Sequence, residues 1–187
     1  MSSFRNGMPD ADGSSATIGV AVAIPEPAAT RLQEYRLEIG DPTALGVPTH
    51  ITLIPPTAVD RDLAPIVEHL EQAAARIEPF TVHLRGTGTF RPVSPVVFVG
   101  LVEGISQCEA LADVVRRGPL GIEIDWPYHP HVTVAHHVDD ATLDRAFRDM
   151  ADFECLFDVR EFHLYVHQGT AGWVPMRSFE LTAGAAQ

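Results

Sequence analysis

Two stretches of this 187-residue chain set an imidazole two residues ahead of a hydroxyl: Pro48-Thr49-His50-Ile51-Thr52-Leu53-Ile54-Pro55 and Pro130-His131-Val132-Thr133-Val134-Ala135. In an extended strand successive side chains alternate between faces. His50 and Thr52 therefore project to one side while Ile51 and Leu53 project to the other, and His131 with Thr133 is set against Val132 and Val134 in the same way. An imidazole with an unperturbed pKa of about 6.5 can give or take a proton near neutral pH. Two imidazole-hydroxyl pairs offer symmetric proton-transfer chemistry, one ring as base and the other as acid. With nine histidines in the chain, roughly one His-x-Ser/Thr triplet is expected from composition alone. The weight of the pair lies in its context: both triplets sit in proline-flanked apolar runs, and each precedes a capped helix and two strands.

The elements that must position these residues read as follows. Thr17 to Ile24 is a buried strand, and Pro25-Glu26-Pro27 opens a helix through about Leu37. The first histidine strand, about Thr49 to Ile54, is expected to stop at Pro55-Pro56, with Asp60 capping an amphipathic helix from about Arg61 to Ile77. Phe80 to Phe90 and Pro95 to Val102 form an antiparallel hairpin across Arg91-Pro92-Val93-Ser94, and a helix from about Ser106 to Arg117 ends at Gly118-Pro119. The second histidine strand, about His131 to His136, leads to a helix from Ala141 to Met150 capped by Asp139 or Asp140. Two last strands follow, about Phe153 to Val166 and Trp173 to Leu181. The order repeats. It predicts an α+β fold of two pseudo-symmetric lobes, each with an antiparallel sheet and helices on its outer face, the motif strands facing a central cleft.

Composition narrows the class. A chain that is 45% hydrophobic and 20% charged can bury a core. We expect a flexible leader over residues 1–15, rich in Ser, Gly, Asp and Asn, and a single bilobal domain over 16–187. A net charge of -12 argues against a broad nucleic-acid surface, although a small anion can still be held locally. Cys108 and Cys155 fall in no ligand-like spacing, and no apolar run is long enough to span a bilayer. The expectation is a cytoplasmic monomer with no membrane partner.

On its two His-x-Thr-hydrophobic motifs, His50-Ile51-Thr52-Leu53 and His131-Val132-Thr133-Val134, the chain resembles the two-histidine (2H) phosphoesterase superfamily, and within it the 2'-5' RNA ligase and cyclic nucleotide phosphodiesterase group. The resemblance runs from about Thr17 to Leu181. It implies that His50 and His131 are the acid-base pair, His50 toward the leaving oxygen and His131 toward water, with Thr52 and Thr133 donating to a phosphate between them. It further implies a cofactor-free, metal-independent opening of 2',3'-cyclic phosphates of RNA ends or small nucleotides to 2'-phosphates, with reversible 2'-5' ligation as a companion activity. Many relatives carry an arginine or lysine two residues past the second motif. Here that position is His136, expected to bind phosphate with less fixed positive charge.

Other residues carry weaker signals. Phe90 and Arg91 are candidate substrate binders at a hairpin tip, and Trp126, Tyr128 and Arg177 are further candidates to line the cleft. His129 shares a face with His131, but no HExxH helix, cysteine pair or well-placed carboxylate completes a zinc site. The rival to an enzyme is a non-catalytic module that binds RNA ends or nucleotides in the same cleft.

Overall fold

The computed structural model describes residues 15–122 and 127–184. Residues 1–14 of the expected leader, and Trp126, lie outside the described residues, while Ser15 opens the first strand. The elements run β1 (Ser15–Ala23), α1 (Ala28–Glu38), β2 (His50–Asp60), α2 (Ala64–Ala74), β3 (Phe80–Thr89), β4 (Val96–Glu103), α3 (Ile105–Arg116), β5 (His131–His136), α4 (Asp140–Asp149), β6 (Glu154–Val159), β7 (Glu161–His167) and β8 (Trp173–Glu180).

All eight strands join one antiparallel sheet in the order β6-β3-β4-β5-β2-β1-β7-β8. The α+β class with two four-stranded halves is as expected, but the halves are not consecutive along the chain: β3 and β4, which follow the first histidine strand, join β5 and β6, while β1 and β2 join β7 and β8. The halves meet where the histidine strands β2 and β5 lie side by side, bridged at the single pair Ile51↔Val132. The sheet is curled. In a flat sheet β6 and β7 would stand roughly 29 Å apart, yet only Arg160 separates them in the chain, a reach of about 7 Å.

The four helices pack on one face. Leu32 of α1, Leu70 of α2, Leu111 of α3 and Leu143 of α4 share one apolar cluster with Val20, Leu53, Val99 and Val134 of the sheet. Burying that face fixes the register of the histidine strands, because a one-residue slip would turn Ile51, Leu53, Val132 and Val134 out to solvent. The opposite face carries His50, Thr52, His131 and Thr133, all half-buried.

Three expectations about elements need correction. β2 does not stop at Pro55-Pro56 but runs to Asp60. The prolines fall where the ladder to β1 jumps from Val20↔Ile54 to Ile18↔Thr57, a bulge that makes no demand for their missing N–H groups. Because the strand extends, Asp60 is not a cap: α2 starts at Ala64 with Pro65 in its first turn, and the Asp62 carboxylate accepts from the Ala64 N–H at 3.1 Å. Finally, Phe153 to Val166 is not one strand. It divides at Arg160 into β6, on the edge against β3, and β7, against β1 in the other half. At α4, by contrast, one of the two aspartates expected to cap the helix does so: Asp139 accepts from the Thr142 N–H at 2.7 Å, and Asp140 is the first helical residue.

Candidate active site

The Ile51↔Val132 bridge decides how the two motifs meet. One step to either side along an antiparallel pair, His50 lies opposite Thr133 and Thr52 opposite His131, on the sheet face away from the helices. The motifs are thus crossed about a pseudo-two-fold axis through that bridge. Each imidazole has its own lobe's threonine two residues along and the other lobe's threonine across the strand gap.

The two rings are oriented by the same device. His50 Nδ1 donates to the Pro48 carbonyl at 2.7 Å, and His131 Nδ1 donates to the His129 carbonyl at 2.7 Å. Fixing the proton on Nδ1 leaves Nε2 as the reactive nitrogen of each neutral ring. At His50 that nitrogen accepts from the Thr52 hydroxyl at 3.0 Å. Burial holds both imidazoles below the ordinary histidine range. His50 is lowered by desolvation and by the Arg36 charge, against the opposing pull of the Pro48 carbonyl. His131 falls to about 4, chiefly through desolvation, with His129 and His50 adding to the shift and the His129 carbonyl opposing it.

The cross-strand neighbours correspond in the two halves, with one telling exception. Ala23 stands beside His50 as Gly100 stands beside His131, and Val22 beside Ile51 as Val99 beside Val132. Beside the threonines the match fails: Ala21 neighbours Thr52, but Phe98 neighbours Thr133. In the first half the small residue leaves a pocket against His50 and Thr52, walled by Pro48, Ile54, Tyr165 and Trp173. In the second half the Phe98 ring fills the equivalent space, lying 5.1 Å from the His131 ring and 4.5 Å from Phe90, whose own ring meets His131 edge-on at 4.9 Å. Gly88 makes this packing possible, since a Cβ there would come within 2.5 Å of the Phe98 ring.

The other sequence candidates are placed as follows. Phe90 is on the His131 wall. Arg91 turns to α4, 2.6 Å from Asp144 and 3.7 Å from Asp140. Tyr128 braces the back of the first motif, its hydroxyl donating to the Thr52 carbonyl at 2.8 Å beneath the Arg116 guanidinium, and Arg177 pairs with Glu71 of α2. Both Val134 and Ala135 are buried at a bulge, where β4 pairs Phe98 with Thr133 and Val97 with Ala135. The extra residue returns His136 to the face of Thr133, stacked on His137 at 3.6 Å and lowered in pKa by burial and then by that neighbour. His129 stacks 6.2 Å from His131, and among the described residues no group of three or more His, Cys, Asp or Glu is gathered to hold a metal ion.

Tyr165, Trp173 and Phe98 are the residues sequence reasoning missed. Only strand pairing reveals them. Trp173 heads β8, far along the chain from either motif, and its backbone N–H donates to the Gly46 carbonyl at 3.2 Å, which ties β8 to the loop preceding His50.

The family model of the 2'-5' RNA ligase superfamily matches residues 24–171, a span that contains both histidine strands. The chain belongs to that superfamily. Among relatives of this 2'-5' RNA ligase superfamily member, a Bacillus cytotoxicus protein named a putative phosphoesterase is 32% identical over 150 residues, 78% of this chain and 86% of its own. A similarly named Bacillus cereus protein is 32% identical over 149 residues, 77% of this chain and 85% of its own. The fold is that of Escherichia coli LigT, solved with 3'-AMP: TM-score 0.65 at 22% identity, over 90% of this chain and 99% of LigT. A Thermus thermophilus protein gives a TM-score of 0.57 at 23% identity, over 90% of this chain and 99% of its own. This superfamily member is therefore a two-histidine phosphoesterase relative whose fold positions both motifs at the sheet's centre.

Proposed function

We propose that this protein opens 2',3'-cyclic phosphates of small nucleotides or RNA ends to 2'-phosphates, with His50 and His131 as the acid-base pair and no metal in the mechanism. The observation that carries the reading is the crossed placement of the two His-x-Thr motifs about Ile51 and Val132. Opening the ring in line needs a base on one side of phosphorus and an acid on the other. The negative charge of the bound phosphodiester draws a proton onto His50 Nε2, which releases the Thr52 hydroxyl that the neutral ring accepts from. His131 Nε2 then takes a proton from water, the water oxygen bonds to phosphorus, the P–O3' bond breaks, and His50 Nε2 delivers its proton to O3'. Thr52 and Thr133, together with His136, are the donors for the non-bridging oxygens.

The direction of this assignment has support from shape. In an in-line reaction the nucleoside is on the acid's side and water on the base's side. The open pocket is beside His50, and its wall of Trp173 and Tyr165 suits a nucleobase, whereas the His131 side is packed with phenyl rings. LigT has been solved with 3'-AMP, ATP and NADP+, so nucleotide ligands are compatible with this fold. Among the described residues no helix is long and apolar enough to cross a membrane.

The test is turnover of a 2',3'-cyclic-phosphate oligonucleotide and of uridine 2',3'-cyclic phosphate in EDTA, with His50→Ala and His131→Ala beside the wild type. Formation of 2'-phosphate that persists in EDTA and is lost in both variants is expected. Binding without turnover would point to a nucleotide-binding module instead, and turnover abolished by EDTA would point to a metal.

A further inference from the structure

We propose that the aromatic wall around His131, formed by Phe90, Phe98 and His129, admits water as the nucleophile and excludes the 5'-hydroxyl of a nucleoside, so that the protein is a hydrolase with its ligase direction closed. The inference rests on the reading above, in which His131 activates the nucleophile.

Hydrolysis and 2'-5' joining share every step except the identity of the attacking oxygen. In either case an O–H loses its proton to His131 Nε2, the oxygen bonds to phosphorus, the P–O3' bond breaks and His50 protonates O3'. If the oxygen is water the product is a 2'-phosphate; if it is a 5'-hydroxyl the product is a 2'-5' diester. No further reactant distinguishes them. The choice is therefore made by the space on the base's side, because a 5'-hydroxyl brings a methylene, a ribose and a base with it.

That space is occupied. The Phe90 and Phe98 rings pack on each other at 4.5 Å and both abut the His131 ring, while His129 lies parallel to it at 6.2 Å. Phe98 is nearly inaccessible and is seated over Gly88, so it cannot swing aside without losing that cradle. The first half shows what the same position looks like when open: Ala21 replaces the phenyl, and a pocket results. Size exclusion by a packed wall is worth roughly one to two orders of magnitude for each small group that must be accommodated.

The experiment is a partition measurement. Uridine 2',3'-cyclic phosphate is turned over in water with added methanol or with a deoxynucleoside bearing a free 5'-hydroxyl, and the ratio of ester to 2'-phosphate is read per molar acceptor. Wild type is expected to favour methanol over the nucleoside by more than about tenfold. Phe90→Ala, which removes the half-exposed ring and leaves Phe98 seated, is expected to raise the nucleoside partition by about tenfold, with Phe90→Tyr behaving as wild type. Because a ratio is read, a change in overall rate does not affect the outcome. Comparable partition to methanol and nucleoside in wild type would overturn the inference without any variant, and so would a Phe90→Ala partition equal to that of wild type. No turnover of the cyclic phosphate, in water or alcohol, would instead reject the underlying phosphoesterase reading.

Discussion

Ala21 beside Thr52 and Phe98 beside Thr133 occupy matching places in the two halves of the sheet, and a methyl set against a phenyl is what separates the half-sites. Next along each row the difference reverses: His163 adjoins Ala21, and Gly88 adjoins Phe98. The larger side chain stands one strand further from the histidine strand in the first half, and the anchoring of the two imidazoles is the same. Both imidazoles keep the same Nδ1 bond to the carbonyl two residues before them, at 2.7 Å in each case. The pseudo-two-fold relation about the Ile51↔Val132 bridge accounts for what the halves share, two imidazoles held alike. Divergence at the neighbours accounts for the asymmetry of the site, open beside His50 and packed with phenyl rings beside His131.

The most severe way to test this comparison is to remove the shared part. His50→Ala and His131→Ala should each lower kcat for cyclic-phosphate opening by about 10²–10⁴-fold, the range of one general acid or base. Restoring activity with added imidazole should succeed better for His50→Ala, whose ring adjoins the pocket, than for His131→Ala behind its phenyl wall. Equal rescue of the two would remove the asymmetry from the account.

A smaller effect comes from the part that differs. Trp173→Ala should raise KM for nucleoside cyclic phosphates by about tenfold, the scale of one lost base stack, while leaving the affinity for inorganic phosphate unchanged. If phosphate affinity falls as much as KM rises, Trp173 supports the cleft generally and the pocket is not a base site.

How much of this was legible before the structure depends on the range of the interactions involved. The bounds of β5 follow from neighbours within a few residues and were readable, and the cap of α4 was readable to within the pair Asp139 and Asp140. The two histidines were readable as a pair because a strand's alternation is local. Extension of β2 through Pro55-Pro56 was not, since it depends on a bulge against β1 more than thirty residues away. Nor was the division at Arg160, where no glycine or proline marks the break and only the choice of different partner strands makes it. Trp173 and Phe98 bear on the site solely through pairing across the sheet, and no spacing in the chain announces them.

Protonation offers a subtler test of what the halves share. The unfolded imidazole titrates near 6.5, while folded His131 titrates at about 4 and His50 below its ordinary value. Between those limits the unfolded chain binds protons that the folded chain does not. Stability is therefore full above about pH 6.5 and declines as pH falls toward 4. Thermal unfolding should show Tm dropping over that interval, with a shallower drop in His131→Gln. Inorganic phosphate should act in the opposite sense, its negative charge favouring the imidazolium. Histidine NMR titrations should then show both site pKa values rising on phosphate addition; a fixed His131 pKa would mean that the anion does not enter between the rings.

The least effect is expected at His136, where the repeat departs from a fixed cation. Its ring is half-buried, stacked on His137 and held below the usual histidine range by desolvation, so it is neutral at pH 8 and adds no charge to the cleft. The bulge at Val134 nonetheless brings it to the face of Thr133. His136→Arg should tighten phosphate binding at pH 8 by up to about fivefold, the worth of one partly exposed ion pair. That gain should shrink toward pH 6, where phosphate itself draws a proton onto the wild-type ring. Calorimetry at the two pH values measures the difference. An equal gain at both would show that His136 stays neutral with phosphate bound, and no gain at either would place the side chain outside reach of the anion.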